Sequence, residues 1–249
     1  MNSQPPDCPE AATAKADGNR PRYSSSQSSP AILRLWLGGN ALGFAIATII
    51  LVSVSALISA TPLGMGGIEA LIASEIVVGS CVGTLQALIL KRQISRLRVW
   101  QWILASIFGG YLGIFLWAIA MLGVAAVPGI AASIRGLNIV LLTASIFGAM
   151  LGVTVGLGQV LVVAQHVHGL RRWWLANVVG RSLGWLCAVG FGLFFNTRPV
   201  LIPLDSNIGD SISALLICGG IGGLIYGGVT ALALPSLTPR QRAIPDKLN

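Results

Sequence analysis

Charge is what this sequence has least of. Only 24 of its 249 residues are charged, 16 Lys+Arg and 8 Asp+Glu, or 10%, against about 25% in an ordinary soluble domain. So little charge cannot cover the surface of a soluble domain this long. Disorder is excluded for most of the chain, because 54% of it is hydrophobic and disorder needs low hydrophobicity. Cysteine is sparse as well. Cys8, Cys81, Cys187 and Cys218 share no spacing, which excludes a disulfide framework and a CxxC motif. The sequence has no phosphate-binding glycine loop, nucleophile elbow or metalloprotease helix. His166 and His168 stand without a nearby Cys or a second pair, so no metal is expected. Neither an enzyme activity nor a cofactor is expected. The first 30 residues carry Asp7, Glu10 and Asp17 and no apolar core, unlike a secretory signal peptide.

What is present is long apolar runs and 31 glycines, with a mean hydropathy of +0.80. A bilayer-spanning helix needs ~20 mostly apolar residues. Six stretches meet that, at about 35–60, 69–90, 101–126, 137–163, 174–195 and 212–234. The 36 uncharged residues between Arg98 and Arg135 hold one span and a turn at Pro128-Gly129, not two spans. Length and the lack of strict alternation favour helices over barrel strands. The expected fold is therefore an all-α membrane protein of six transmembrane helices. Residues 1–33, with five prolines and a polar run, read as a disordered tail. Residues 34–236 form the transmembrane domain and 237–249 a short second tail.

Thirteen of the 16 basic residues fall on one side of these spans: Lys15 to Arg34, Lys91 to Arg98, Arg171 and Arg172, and Arg240 to Lys247. Basic residues are retained in the cytoplasm. Both termini are thus expected there, with the chain in the bacterial inner membrane. The net charge of +8 is spent on topology, and no nucleic-acid partner is expected, because the cations sit at span ends and form no aromatic-interleaved patch. Trp36, Trp100, Trp102, Trp173 and Trp174 lie at the same ends and read as an interfacial aromatic belt.

The spans repeat. The second reads Gly79-x3-Gly83-x2-Gln86-x3-Leu90 and the fourth Gly152-x3-Gly156-x2-Gln159-x3-Val163, offset by 73. The sixth reads Gly223-x3-Gly227-x2-Thr230-x3-Leu234. The odd spans share a Trp, then Ser or Asn four on, then Gly seven on: Trp102-Ser106-Gly109, Trp173-Asn177-Gly180 and Trp36-Asn40-Gly43. Three quasi-equivalent hairpins follow, from spans 2–3, 4–5 and 6–1, related by an axis along the membrane normal. Small residues four apart let helices approach closely where lipid gives no hydrophobic drive. Gly79 and Gly83, Gly148, Gly152 and Gly156, and Gly219, Gly223 and Gly227 form such glycine-zipper seams.

The pattern G-x3-G-x2-Q-x3-L, a basic loop, then W-x-L-A-[SN]-x2-G-x3-G resembles a group of uncharacterised multi-pass membrane proteins common in cyanobacteria. The resemblance covers roughly residues 79–234. It implies a multi-pass membrane fold and contributes no catalytic residue.

Charges within spans are the first suspects for function, and there are two. Glu75 stands where the other hairpins have Gly148 and Gly219. It reads either as a proton or cation site or as a satisfied carboxyl near the outer surface. Arg181, whose counterpart is Gly110, lies ~12 Å into span five from Trp173. It reads as an anchor for an anion or lipid phosphate, as a snorkelling Arg, or as a donor to Gln86 and Gln159. A direct pair with Glu75 is not expected, since counting residues along span two puts that carboxylate nearer the opposite face. Gln86, Gln159 and Thr230 repeat at one depth, and either line a polar cavity or bond helix to helix. The loop at 196–211 is expected to be solvated. Two functions fit these features: a scaffold or accessory subunit, with a membrane-protein partner or a second copy beside the lipid bilayer, or a small transporter or channel.

Overall fold

The computed structural model describes residues 30–59, 68–126, 137–194 and 208–238. The expected tail at 1–29, the Pro128-Gly129 turn, the loop at 196–207 and residues 239–249 lie outside the described residues. Six helices follow in order: α1 Pro30–Ser59, α2 Ile68–Lys91, α3 Val99–Ala125, α4 Leu137–Val163, α5 Leu170–Phe194 and α6 Ile208–Ala231. A short 3-10 helix, Leu234–Ser236, ends the described chain, with Pro235 in its first turn. No strand occurs among the described residues. The first helix takes in residues 30–33, so the helical chain begins before the expected end of the tail.

Five of the helices carry stretches of 21 to 26 residues that are long and apolar enough to cross a membrane: α1, α3, α4, α5 and α6. The distribution of side chains points the same way. The polar residues Asn40, Gln86, Gln159, Asn177 and Thr230 are buried, while Phe108, Phe115, Leu122 and Leu161 are more than 60% exposed. That inversion of the soluble pattern is what a lipid surround requires, because only an apolar exterior is at home there. The chain is an all-α membrane protein.

Each helix packs against its neighbours in sequence, and α6 packs against α1, so the six close into a ring. Glycines set the approach at every contact. A Cβ added to Gly152 would come 2.6 Å from the Asn177 carbonyl oxygen on α5, and one on Gly223 2.6 Å from the Asn40 oxygen on α1. Gly79 and Gly83 meet Ile107 and Ser106 on α3 in the same way, while Gly156, Gly219 and Gly227 meet Asn177, Thr48 and Asn40. Gly148 lies against the Arg181 backbone carbonyl. A second set, on the odd-numbered helices, serves the alternate contacts of the ring: Gly43 meets Val82, Gly109 meets Val155, and Gly180 meets Tyr226. On even- and odd-numbered helices alike, these glycines thus face the helix that follows in the ring.

One end of the ring is closed by a compact apolar layer. Leu90, Ile94, Leu97, Val163, Val167 and Leu234 are all buried there. The loop between α2 and α3 folds back through bonds from Ile94 N to Leu90 O, 2.7 Å, and Leu97 N to Ile94 O, 2.9 Å. The loop between α4 and α5 turns at Gly169, with φ of +79°, a conformation glycine adopts without strain. A side chain there would also strike the Ser236 carbonyl. His168 N donates to Thr238 O at 2.8 Å, and Leu237 is buried. Residues 237 and 238 therefore belong to the packed domain and not to the tail.

Candidate functional site

Three tryptophans meet in the middle of the ring, just inside the apolar layer. Trp36, Trp102 and Trp173 are each fully buried. Trp36 and Trp173 meet edge to face with centroids 5.6 Å apart at 68°, and Trp102 and Trp173 lie 5.8 Å apart at 52°. The belt expected from the sequence is corrected for these three. They pack against one another, which removes far more apolar area from polar surroundings than an interfacial position would. Trp100 does lie outside, 58% exposed, and Trp174 donates to the Val153 carbonyl at 3.1 Å.

Polar side chains form the next layer. Asn40 Nδ2 donates to Trp36 O at 2.8 Å, Ser106 Oγ to Trp102 O at 3.0 Å and Asn177 Nδ2 to Trp173 O at 3.1 Å. This is one bond made three times, from a residue to the carbonyl four before it. Each of the three also accepts from an adjacent helix. Gln86 Nε2 donates to Asn40 Oδ1 at 2.8 Å, Gln159 Nε2 to Ser106 Oγ at 3.1 Å, and the Tyr226 hydroxyl to Asn177 Oδ1 at 2.7 Å.

The layer is also cross-linked at its centre. Gln159 Nε2 reaches Gln86 Oε1 at 3.3 Å, and Gln86 Nε2 reaches the Tyr226 oxygen at 3.2 Å. Trp173 Nε1 donates to Gln159 Oε1 at 3.3 Å and Trp36 Nε1 to Thr230 Oγ1 at 2.9 Å. The indole nitrogen of Trp102 is buried without a partner. Gln86, Gln159 and Thr230 are thus brought to one level, and their side chains fill the axis by bonding to each other and to the tryptophans. Asn40, Ser106, Asn177 and Tyr226 complete the layer. The first three sit in the Trp-x3-[SN] motif. Tyr226 has a different signal: its counterparts in α2 and α4 are Val82 and Val155, and Thr230 is too short to span the distance a Gln spans.

Glu75 and Arg181 lie beyond this layer, away from the tryptophans. Each is 2% exposed. The Glu75 carboxylate rests on Gly110, in the space a side chain there would fill, and its Oε2 is buried with no hydrogen-bond partner. The Arg181 guanidinium lies over the Tyr226 ring, 5.3 Å from its centroid, and its Nε and Nη1 are buried without partners. Arg181 therefore does not snorkel to an interface, and it stacks on Tyr226 instead of donating to Gln86 or Gln159. The depth separation expected from the sequence does not hold either. Gly110 is the counterpart of Arg181, and Glu75 rests on Gly110, so Glu75 is at Arg181's level. Residue counting misplaced Glu75 because the antiparallel register of α2 on α3 is set by the glycine contacts.

Aromatic rings bound this region. Phe44 meets Tyr226 edge to face at 5.7 Å, and Phe147 meets both Trp117 and Trp185, at 5.3 and 4.9 Å. Among the described residues no group of three His, Cys, Asp or Glu could hold a metal ion. No protein family, curated protein or solved structure matches the chain.

Proposed function

We propose that this protein is a six-span scaffold or accessory subunit of a membrane assembly, built as three quasi-equivalent hairpins from α2–α3, α4–α5 and α6–α1. Counterpart residues support the hairpins: the Trp-to-Asn or Ser bonds recur three times, and the two glycine sets alternate around the ring. The observation that carries the scaffold reading is the sealed axis. Three fully buried tryptophans and a layer of mutually bonded Gln, Asn, Ser, Thr and Tyr side chains fill it. A bundle fastened in this way is suited to holding a shape. Its exposed Phe, Leu and Ile faces meet lipid, and present a rigid apolar surface to a membrane partner or a second copy.

In this reading the apolar layer and both termini face the cytoplasm across the bacterial inner membrane, which the basic ends support. The resemblance to cyanobacterial multi-pass proteins agrees with that placement. Gentle solubilisation and affinity purification should recover a stoichiometric membrane partner or a stable homo-oligomer. Repeated isolation of a monomer alone would count against the reading. For orientation, single cysteines at Arg96 and in the 196–207 loop, in a background without native cysteines, should label from opposite sides. Labelling of both from the periplasm would overturn it.

A second reading, a small transporter or channel, rests on one observation: Glu75 and Arg181 are buried with unpartnered polar atoms. Solute or ion flux in proteoliposomes that is lost on Glu75→Gln would favour it over the scaffold.

A further inference from the structure

A carboxyl and a guanidinium share one level of the interior, yet the atoms that could join them are unpartnered. Glu75 Oε2 has no hydrogen-bond partner, and neither have Arg181 Nε and Nη1. An ionised carboxylate buried in apolar surroundings is far more costly than a neutral one, and such a group takes up a proton unless a partner compensates it. Arginine stays charged whatever surrounds it. With an anion at Glu75, the free N–H groups of Arg181 would be drawn to it, since a charge-assisted bond is the strongest available to either group. Instead the guanidinium lies over the Tyr226 ring. That is the arrangement expected when the carboxyl is neutral and the ring face is the best remaining partner for the cation.

We propose that the Glu75 carboxyl is a reversible proton-binding site and that Arg181 is its switched partner. In the arrangement seen, the carboxyl holds a proton and Arg181 stacks on Tyr226. When the proton leaves to water, the carboxylate becomes the acceptor that Nε and Nη1 lack, and the guanidinium moves from the ring to Glu75. No redox partner or other reactant is needed.

The surroundings contain few competing groups. Helix α2 packs on α1 and α3. On α3 the titratable residue is Tyr111, next to Gly110 in the chain. The one charged residue of α1, Arg34, lies more than two turns before Phe44, toward the tryptophan end. Across the ring, α4 contains no charged residue; α5 carries Arg171 and Arg172 in its first turn, at the tryptophan end, and Arg181; α6 carries Asp210 in its first turn, at the opposite end, and Tyr226. Proton exchange runs away from the tryptophans, because the bonded polar layer and the apolar layer close that route. The switch reaches the polar layer through Tyr226, whose ring carries Arg181 and whose hydroxyl holds Asn177 and Gln86. Proton loss would therefore loosen the fastening between α5, α6 and α2. The switch would operate in a scaffold and in a transporter alike.

The chain has three glutamates, Glu10, Glu69 and Glu75, so the test can be made site-specific. The full-length double variant Glu10→Gln/Glu69→Gln, labelled with 13C at the glutamate carboxyl and reconstituted in lipid nanodiscs, carries Glu75 as its single labelled glutamate. Its carboxyl signal should stand at the protonated position at pH 7. It should move to the ionised position as pH rises, with the Tyr226 ring signals shifting over the same pH interval. Replacing Arg181 by Gln should leave Glu75 protonated to higher pH, because the partner that compensates the anion is gone. An ionised carboxyl at pH 7 in the double variant would overturn the proton site. Titration of Glu75 with no change at Tyr226 would overturn the switch. The glutamine variant Glu75→Gln should show the Tyr226 signals fixed in their low-pH position, and a pH-dependent Tyr226 in that variant would also count against it.

Discussion

The Glu75 carboxylate occupies the space that a side chain on Gly110 would take. Its mirror case lies in the next hairpin, where the Arg181 backbone carbonyl rests on Gly148. Glu75 is the counterpart of Gly148 and Gly110 of Arg181. One hairpin thus sets a large residue on the even helix against glycine on the odd helix, and the other reverses the order. A methyl group at Gly110 would meet the Glu75 side chain first, which must swing out of its buried place, at a cost of ~1 kcal/mol, the low end for overpacking. Gly110→Ala should therefore lower the thermal unfolding midpoint in detergent. Glu75→Gly in the same background should recover most of the loss, since neighbours in contact are not additive. Simple addition of the two single effects would show that the carboxylate does not rest on Gly110.

The seam glycines separate from the lipid-facing ones by the same measurement. Gly152→Ala and Gly223→Ala each put a Cβ 2.6 Å from a backbone oxygen of the facing helix. Both should destabilise the bundle, because backbones held that close cannot yield without parting the helices. Gly38 and Gly123 have nothing within 4 Å of an added Cβ. Their alanine variants should be neutral or stabilising by up to ~1 kcal/mol, the intrinsic helix preference of Ala over Gly. Equal losses at all four sites would deny the seams a special role.

Most of the helix boundaries are legible in the sequence, and for a physical reason. In lipid the apolar run and the helix must coincide, since an unpaired backbone group there is so costly. The stretch 137–163 coincides with α4, and 69–90 falls one residue short of α2 at each end. The glycine spacing makes the seams legible too. The interior of the site is less so. Trp36, Trp102 and Trp173 read as interfacial because tryptophan favours both the membrane interface and a bundle core, and hydropathy does not separate the two. The register is a further obstacle. The repeat runs at an offset of 73 through Leu97 and Trp100, but the odd helices align at 71, and it is Trp102 and not Trp100 that is buried. The connection from Gln159 to Trp173 is shorter by those two residues than that from Gln86 to Trp102. Tyr226 was findable by the reasoning that singles out Glu75 and Arg181. It breaks the repeat where Val82 and Val155 stand.

Tyr226 joins three elements through one hydroxyl, which donates to Asn177 and accepts from Gln86. Tyr226→Phe keeps the ring under Arg181 and beside Phe44 but removes both bonds. Interhelical hydrogen bonds in membranes average ~0.6 kcal/mol each, and Asn177 Oδ1 would be left buried without its donor. The expected loss is thus ~1–2 kcal/mol, toward the upper end for an unsatisfied buried acceptor. Unfolding in a denaturing detergent titration would measure it. A variant as stable as the parent would mean that the hydroxyl is not part of the fastening.

The three tryptophans should respond unequally to loss of the indole N–H, although all three are fully buried. Trp36 and Trp173 donate to Thr230 and Gln159, while Trp102 Nε1 has no partner. Phenylalanine at each position keeps an aromatic ring and leaves a comparable cavity, so the packing cost is shared and the difference isolates the hydrogen bond. Trp102→Phe also removes a buried donor that nothing satisfies, which offsets part of its packing cost. The order of stability should therefore place Trp102→Phe above Trp36→Phe and Trp173→Phe by ~1 kcal/mol. A further substitution sharpens the test. Thr230→Val removes the acceptor of Trp36 while conserving shape. It should make Trp36→Phe cost no more than Trp102→Phe, whereas Trp173→Phe should be unaffected in that background. Equal costs for all three tryptophans in the parent protein would mean that ring packing alone seals the axis, and that the polar layer contributes nothing to holding the tryptophans in place.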